Sequence, residues 1–189
     1  MAQSMHRINW QDVGDETVTN LRGLLRLDTR NPPGKEIRAA EYLRTLFEAE
    51  GITGEIVGPS SDRGTFIARL RGDGSEPPLL LMSHTDVVAV EPEKWTHEPF
   101  SADVAAGFVY GRGALDMQHM VTMEAMTMLL LKRSGTRLKR DVIFMGAADE
   151  EVGGMQGAGW VVENHPDLIQ AEYALNEGGG TAFEINGLI

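Results

Sequence analysis

Three short apolar runs in this 189-residue chain end abruptly in ionisable residues. Leu79-Leu80-Leu81-Met82 runs into Ser83-His84-Thr85-Asp86, and residues 141–147 run into Asp149-Glu150-Glu151. Residues 172–176 run into Glu177 and a glycine run. A fourth group, Asp116, follows the turn Gly111-Arg112-Gly113 and opens a long apolar stretch. One histidine and several carboxylates, gathered with no lysine or arginine among them, would repel one another strongly. A divalent cation resolves that repulsion, and imidazole with carboxylate suits zinc, manganese or cobalt. Each fragment alone is weak, because His-x-Asp arises by chance and a Glu-Glu pair is commonly a solvated surface charge. The combination is specific because each group falls just past a buried strand or a glycine turn, where backbone can approach a site closely.

For these groups to meet, their segments must share one edge of a sheet. The helical period of Val18, Leu21, Leu24, Leu25 and Leu27 predicts a helix over residues 15–28, broken by Asn31-Pro32-Pro33-Gly34. Ile37, Ala40, Leu43, Leu46 and Phe47 predict a second helix, closed by Gly51. Short strands are predicted over residues 54–57 and 66–70. Residues 79–82, 141–147 and 172–176 read as buried strands. Residues 117–132 are apolar nearly all round, the pattern of a helix buried against a sheet, with its methionines as core filler. Residues 156–164 suit a short helix stopped by His165-Pro166. Strands alternating with helices imply βαβ units and a largely parallel sheet, whose C-terminal strand ends share one ligand-binding edge. The expected fold is an α/β three-layer sandwich with a mostly parallel sheet flanked by helices.

Composition narrows the partners. A net charge of −11 argues against nucleic acid and against an anionic membrane surface. The absence of cysteine excludes disulfides and thiolate zinc sites. No window reaches transmembrane length, and the first residues lack an apolar signal core. The expectation is a cytoplasmic protein acting on a small molecule, with residues 1–14 forming a flexible N-terminus.

The segments LLLMSHTDVV, Trp95 with Pro99-Phe100, GFVYGRGALDM, FMGAADEEVGG and ALNEGGG, together with NPPG near Asn31, resemble a known family in order and spacing. It is the di-zinc superfamily containing acetylornithine deacetylase, succinyl-diaminopimelate desuccinylase, aminoacylase and carboxypeptidase S. The resemblance covers about residues 79–180. It implies that His84 binds one zinc, with Asp86 hydrogen-bonded to its far ring nitrogen. Asp116 would bridge two metals, Glu151 would bind the second, Glu177 would complete the His84 shell, and Glu150 would be the general base. The implied reaction is hydrolysis of an amide in an N-acyl amino acid or small peptide by a zinc-bound water. Co2+ or Mn2+ would be substitutes for Zn2+.

Two departures from that family bear on the reading. Gln118 stands where the family often has lysine two residues beyond the bridging aspartate. Family members are also roughly twice as long, with a lid and dimerisation domain and a final zinc-binding histidine. Residues 15–189 are therefore expected to be a truncated, N-terminal portion of the catalytic domain, holding one zinc where a complete site holds two. No other histidine is an evident substitute: His119 lies one turn from Asp116, and His6, His97 and His165 read as solvated. Two functions stay open, an amidohydrolase and a catalytically silent fragment that binds metal or self-associates. An unpaired sheet edge and the apolar segment 181–189 point to a homo-oligomer.

Overall fold

A computed structural model describes residues 8–178 of the chain. Helix α1 (Trp10–Leu25) leads into α2 (Ile37–Ala49) and strands β1 (Gly54–Val57), β2 (Thr65–Leu70) and β3 (Leu79–His84). A small ribbon, β4 (Val104–Ala105) with β5 (Phe108–Val109), precedes α3 (Gln118–Ser134). Then follow β6 (Val142–Ala147), the short helices α4 (Ala158–Asn164) and α5 (Pro166–Ile169), and β7 (Tyr173–Leu175).

The main sheet runs in the order β1-β2-β6-β3-β7. Strands β6, β3 and β7 are parallel, whereas β1 with β2 and β2 with β6 are antiparallel. The sheet is thus mixed, and its parallel half carries the ionisable strand ends. The reversal has a simple cause: only residues 58–64 join β1 to β2, too few for the crossover that parallel pairing requires.

Alternation along the strands divides the core into two. Phe66, Ala68, Leu81, Val142 and Phe144 face α1, α2 and α3, meeting Leu24, Leu43, Phe47, Val121, Ala125 and Leu129. Ile67, Leu80, Ile143, Met145 and Ala147 face the other way, against Val161 and the partly buried Trp160, Leu168 and Ile169 of α4 and α5. These are the three layers that the strand and helix periods predict. At the centre of the first core the Phe47 ring lies 5.2 Å from Phe66 and 5.0 Å from Phe144.

Several boundaries differ from expectation. Helix α1 starts at Trp10 rather than residue 15, so the stretch expected to be flexible is helical from there. Asn9 explains this, because its side chain accepts from the Gln11 N–H and Asp12 sits in the first turn. The apolar period that marked the helix begins only later. Helix α4 stops at Asn164, and Pro166 then occupies the first turn of α5, where its missing N–H costs nothing. The buried strand expected over residues 172–176 is a three-residue edge strand, with Tyr173 and Leu175 more than half exposed. It pairs only with β3, and among the described residues no strand covers its other edge. Met117, Met126 and Met128 are core residues as expected, but Met123 is exposed. No helix among the described residues is long and apolar enough to cross a membrane. Segment 181–189, expected to take part in assembly, lies outside the described residues.

Candidate metal centre

Strand β3 ends at His84, whose ring is almost completely buried. Its Nδ1 faces two acceptors of Asp86, the main-chain carbonyl at 3.0 Å and the carboxylate at 3.4 Å. A nitrogen between two acceptors carries the proton, so Nε2 is the atom presented to the site. Around Nε2 stand Asp116 Oδ1 at 3.0 Å, Glu177 Oε1 at 3.5 Å and Glu150 Oε2 at 3.7 Å. One ligand atom each from His84, Asp116 and Glu177 all lie within 4.8 Å of one another. Asp116 and Glu150 are open to solvent, with side chains 67% and 52% exposed, so the group lies at a surface that a substrate can reach.

Each carboxylate arrives from a different element. Asp116 sits in the turn before α3, where Gly113 adopts φ +85° and a Cβ would stand 2.6 Å from Val87 Cγ1. Glu150 and Glu151 form a single 3-10 turn past β6. The Asp86 carboxylate caps that turn, accepting from the Glu150 N–H (3.1 Å), the Glu151 N–H (3.1 Å) and Asn31 Nδ2 (2.9 Å). Asp86 was expected chiefly at the far nitrogen of His84. Its carbonyl is the nearer contact there, because three N–H donors already hold the carboxylate. Glu177 follows β7, which registers directly on β3.

The electrostatics suit a cation. Burial alone would lower the His84 imidazole, but the bond and charge of Asp86, then Asp116 and Glu150, outweigh it and push the ring up to about 9. Burial raises the Glu151 and Glu177 carboxyls, and the charge of Asp116 raises both further. Asp86 lies below the ordinary carboxyl range: burial opposes this, and its bonds to His84 and Asn31 prevail. Carboxylates pushed up beside an imidazole pushed up form an anionic cluster short of positive charge. One nitrogen and several oxygens converging in such a cluster fit a divalent metal.

Known proteins resemble the chain in sequence and in fold. A family model described as peptidase family M20/M25/M40 matches residues 80–186. The chain belongs to peptidase family M20/M25/M40. It is 34% identical over 168 residues to aminoacylase-1 of Homo sapiens, covering 86% of this chain and 40% of that protein. It is 33% identical over 150 residues to the cysteinylglycine-S-conjugate dipeptidase of Corynebacterium striatum, covering 78% of this chain and 32% of that one. The M20 metallo-carboxypeptidase Sso-CP2 of Sulfolobus solfataricus superposes with a TM-score of 0.75 at 24% identity, over 88% of this chain and 38% of that chain. The chain thus spans about two fifths of the length of the aminoacylases it matches.

The structure brings His84, Asp86, Asp116, Glu150 and Glu177 together, with Glu151 in range of the Asp116 charge. Gln118 is buried and donates from Nε2 to the Thr85 carbonyl at 2.8 Å, so no cation stands at that position. His119 opposes only slightly the raising of the Glu177 carboxyl, and lies outside the converging trio. His97 is less free than a solvated loop residue, since it stacks on Tyr110 at 4.0 Å and bonds Asp103.

Sequence reasoning missed the layer behind the site. Arg63, Glu36, Asn31 and Asp149 are all buried there, and an arginine does accompany the carboxylates, from the rear. Asn31 was noted as a helix breaker and in the family-like NPPG stretch, and Asp149 as part of an acidic, family-like run, but neither as a buried partner of an arginine. An isolated loop arginine carries no local signal. Glu124 was also missed, because it lies within the apolar period of α3. It is buried and bonded to Ser83 Oγ at 2.8 Å.

Proposed function

We propose that this chain carries the metal-holding and proton-transferring groups of a hydrolase that cleaves the amide bond of an N-acyl amino acid or short peptide. The convergence of His84 Nε2, Asp116 Oδ1 and Glu177 Oε1, with Glu150 beside them, is the observation that carries this reading. His84, Asp116 and Glu177 would hold one ion, and Asp116 and Glu151 would contribute to a second. Zinc is the ion we assign, with cobalt or manganese as substitutes. When bound, it supplies Lewis acidity to the scissile carbonyl and acidifies water. Glu150 takes a proton from the attacking water and returns it to the departing amine. Asp86 serves both partners, holding the Nδ1 proton of His84 and the main chain of Glu150. Aminoacylases and a dipeptidase among the relatives support an acyl amino acid or peptide as substrate class.

A second reading, a chain that binds metal without turnover, draws on one observation. Among the described residues the second position has only Asp116 and Glu151. Equilibrium dialysis is then expected to give nearer one zinc per chain than two, with His84→Ala losing most of it. Glu150→Gln is expected to lower hydrolysis of N-acetyl amino acids or dipeptides by about 10²–10⁴-fold at unchanged zinc content. Loss of zinc in that variant would exchange the roles of Glu150 and Glu151. Two tightly held ions would reject the incomplete second position, and zinc-loaded chain without turnover would select the silent reading.

A further inference from the structure

Behind the metal centre, one buried guanidinium gathers three side chains. Arg63 Nη1 lies 2.6 Å from Glu36 Oε1 and 3.0 Å from Asp149 Oδ1. Its Nη2 donates to Asn31 Oδ1 at 3.0 Å. Asn31 passes the contact forward, because its Nδ2 donates to Asp86 Oδ2 at 2.9 Å and to Asp149 Oδ1 at 3.2 Å. Asp86 in turn accepts the N–H groups of Glu150 and Glu151. Asp149 is tied a second time, accepting the Gln156 N–H and donating its own N–H to Glu36. Every one of Arg63, Glu36, Asn31, Asp86 and Asp149 is less than a tenth exposed.

The geometry needs a fork rather than a charge. Two nitrogens of one planar group reach different partners at once, which a lysine ammonium on a flexible stem cannot reproduce. Space is reserved for it as well. Gly34 has φ +79°, and a Cβ there would run into the Arg63 guanidinium. The network also decides how the 3-10 turn sits. Asp149, the residue before that turn, has φ +69°, an uncommon conformation for a side-chain-bearing residue that its surroundings must hold.

We propose that Arg63 is a positioning residue: directly through Asp149, and through Asn31 and Asp86, it fixes the turn that presents Glu150 and Glu151 to the His84–Asp116–Glu177 group. The functional consequence rests on reading Glu150 as the base and Glu151 as a ligand. The hold on the turn itself does not.

Two variants test it. Arg63→Lys keeps the charge and loses the fork, and Asn31→Ala keeps the Arg63 ion pairs and cuts the link to Asp86. In the metal-free chain, amide hydrogen exchange at Glu150 and Glu151 is expected to quicken by about 10-fold or more in each variant, with the β6 amides changing by less than about two-fold. A purely structural role would loosen β6 as well. Zinc affinity and kcat are each expected to fall about 10–100-fold, with KM little changed. The double variant is expected to match Arg63→Lys alone, since the Asn31 route is one of the two that Arg63 holds. Unchanged exchange at Glu150 and Glu151, loosening spread evenly into β6, or effects that multiply in the double variant would each overturn the proposal. If Arg63→Lys does not fold, Asn31→Ala decides by the same exchange readout. Glu150→Gln and His84→Ala run alongside as controls. If they leave turnover and zinc uptake intact, the metal-centre reading fails, while the exchange result still decides what Arg63 does.

Discussion

At the scale of single residues, the buried carboxyl of Glu124 makes a measurable demand on stability. Burial pushes it up to about 7, against the lowering effect of its bond to Ser83, and its Oε1 is enclosed without a partner among the described residues. A carboxyl raised in the folded chain prefers to be protonated there. Its contribution is therefore full below its ordinary value of 4.5 and is lost as pH rises through about 7. Above that range the folded chain must hold a charge in the core. Glu124→Gln removes the titration, so the variant should gain on the parent by on the order of 3 kcal/mol between pH 4.5 and pH 8. Urea unfolding of both proteins across that range measures the difference. Parallel pH profiles would show that Glu124 is relieved by water or by a shift of α3.

At the scale of elements, what aligns the metal centre is the pairing of β3 with β6 and β7. His84 and Ala147 sit opposite each other in register, so the Glu150–Glu151 turn starts beside the histidine. Helices α2 and α3 brace this arrangement from one face, and the Phe47, Phe66 and Phe144 rings tie α2 to β2 and β6. Phe47 is fully buried, and truncating it leaves a cavity that the surrounding strands cannot close. Phe47→Ala is expected to cost about 3–5 kcal/mol, read from denaturant midpoints. Since that ring lies in the core between α2 and the sheet, zinc affinity measured well below the unfolding midpoint should change little. A loss of affinity as large as that of His84→Ala would mean that α2 packing and the metal centre are one cooperative unit.

At the scale of the whole molecule, one edge of the sheet stands out. Strand β7 is exposed on both faces among the described residues, and Leu115, Val152 and Met155 are exposed as well. Unpaired strands recruit partners, and apolar surface of this kind favours association. The chain is expected to form a homo-oligomer, most simply a two-fold dimer that covers β7. Light scattering from micromolar concentrations upward checks this, and Leu175→Lys should weaken the assembly. A monomer throughout would mean that the edge is covered within the chain itself. The net charge of −11 works against close association at low salt, so the dimer should strengthen as salt is added.

What the sequence determined by itself were features written in short stretches. The periods of α2 and α3, the strand preceding His84, the glycine turn before Asp116 and the paired glutamates after β6 are all local patterns. Each survives in the structure within a few residues, and the family match covers all of them but α2. What only the tertiary structure decided depends on which distant faces meet. Arg63 meets Glu36, Asn31 and Asp149 across long separations, and nothing in its own neighbours marks it as buried. Glu124 shares a helical period with core residues and so becomes a buried acid. The mixed sheet follows from a connection too short for a crossover, and the exposure of β7 follows from its place at the sheet edge. Period and turn chemistry are properties of neighbours in the chain, whereas burial and charge pairing are properties of neighbours in space.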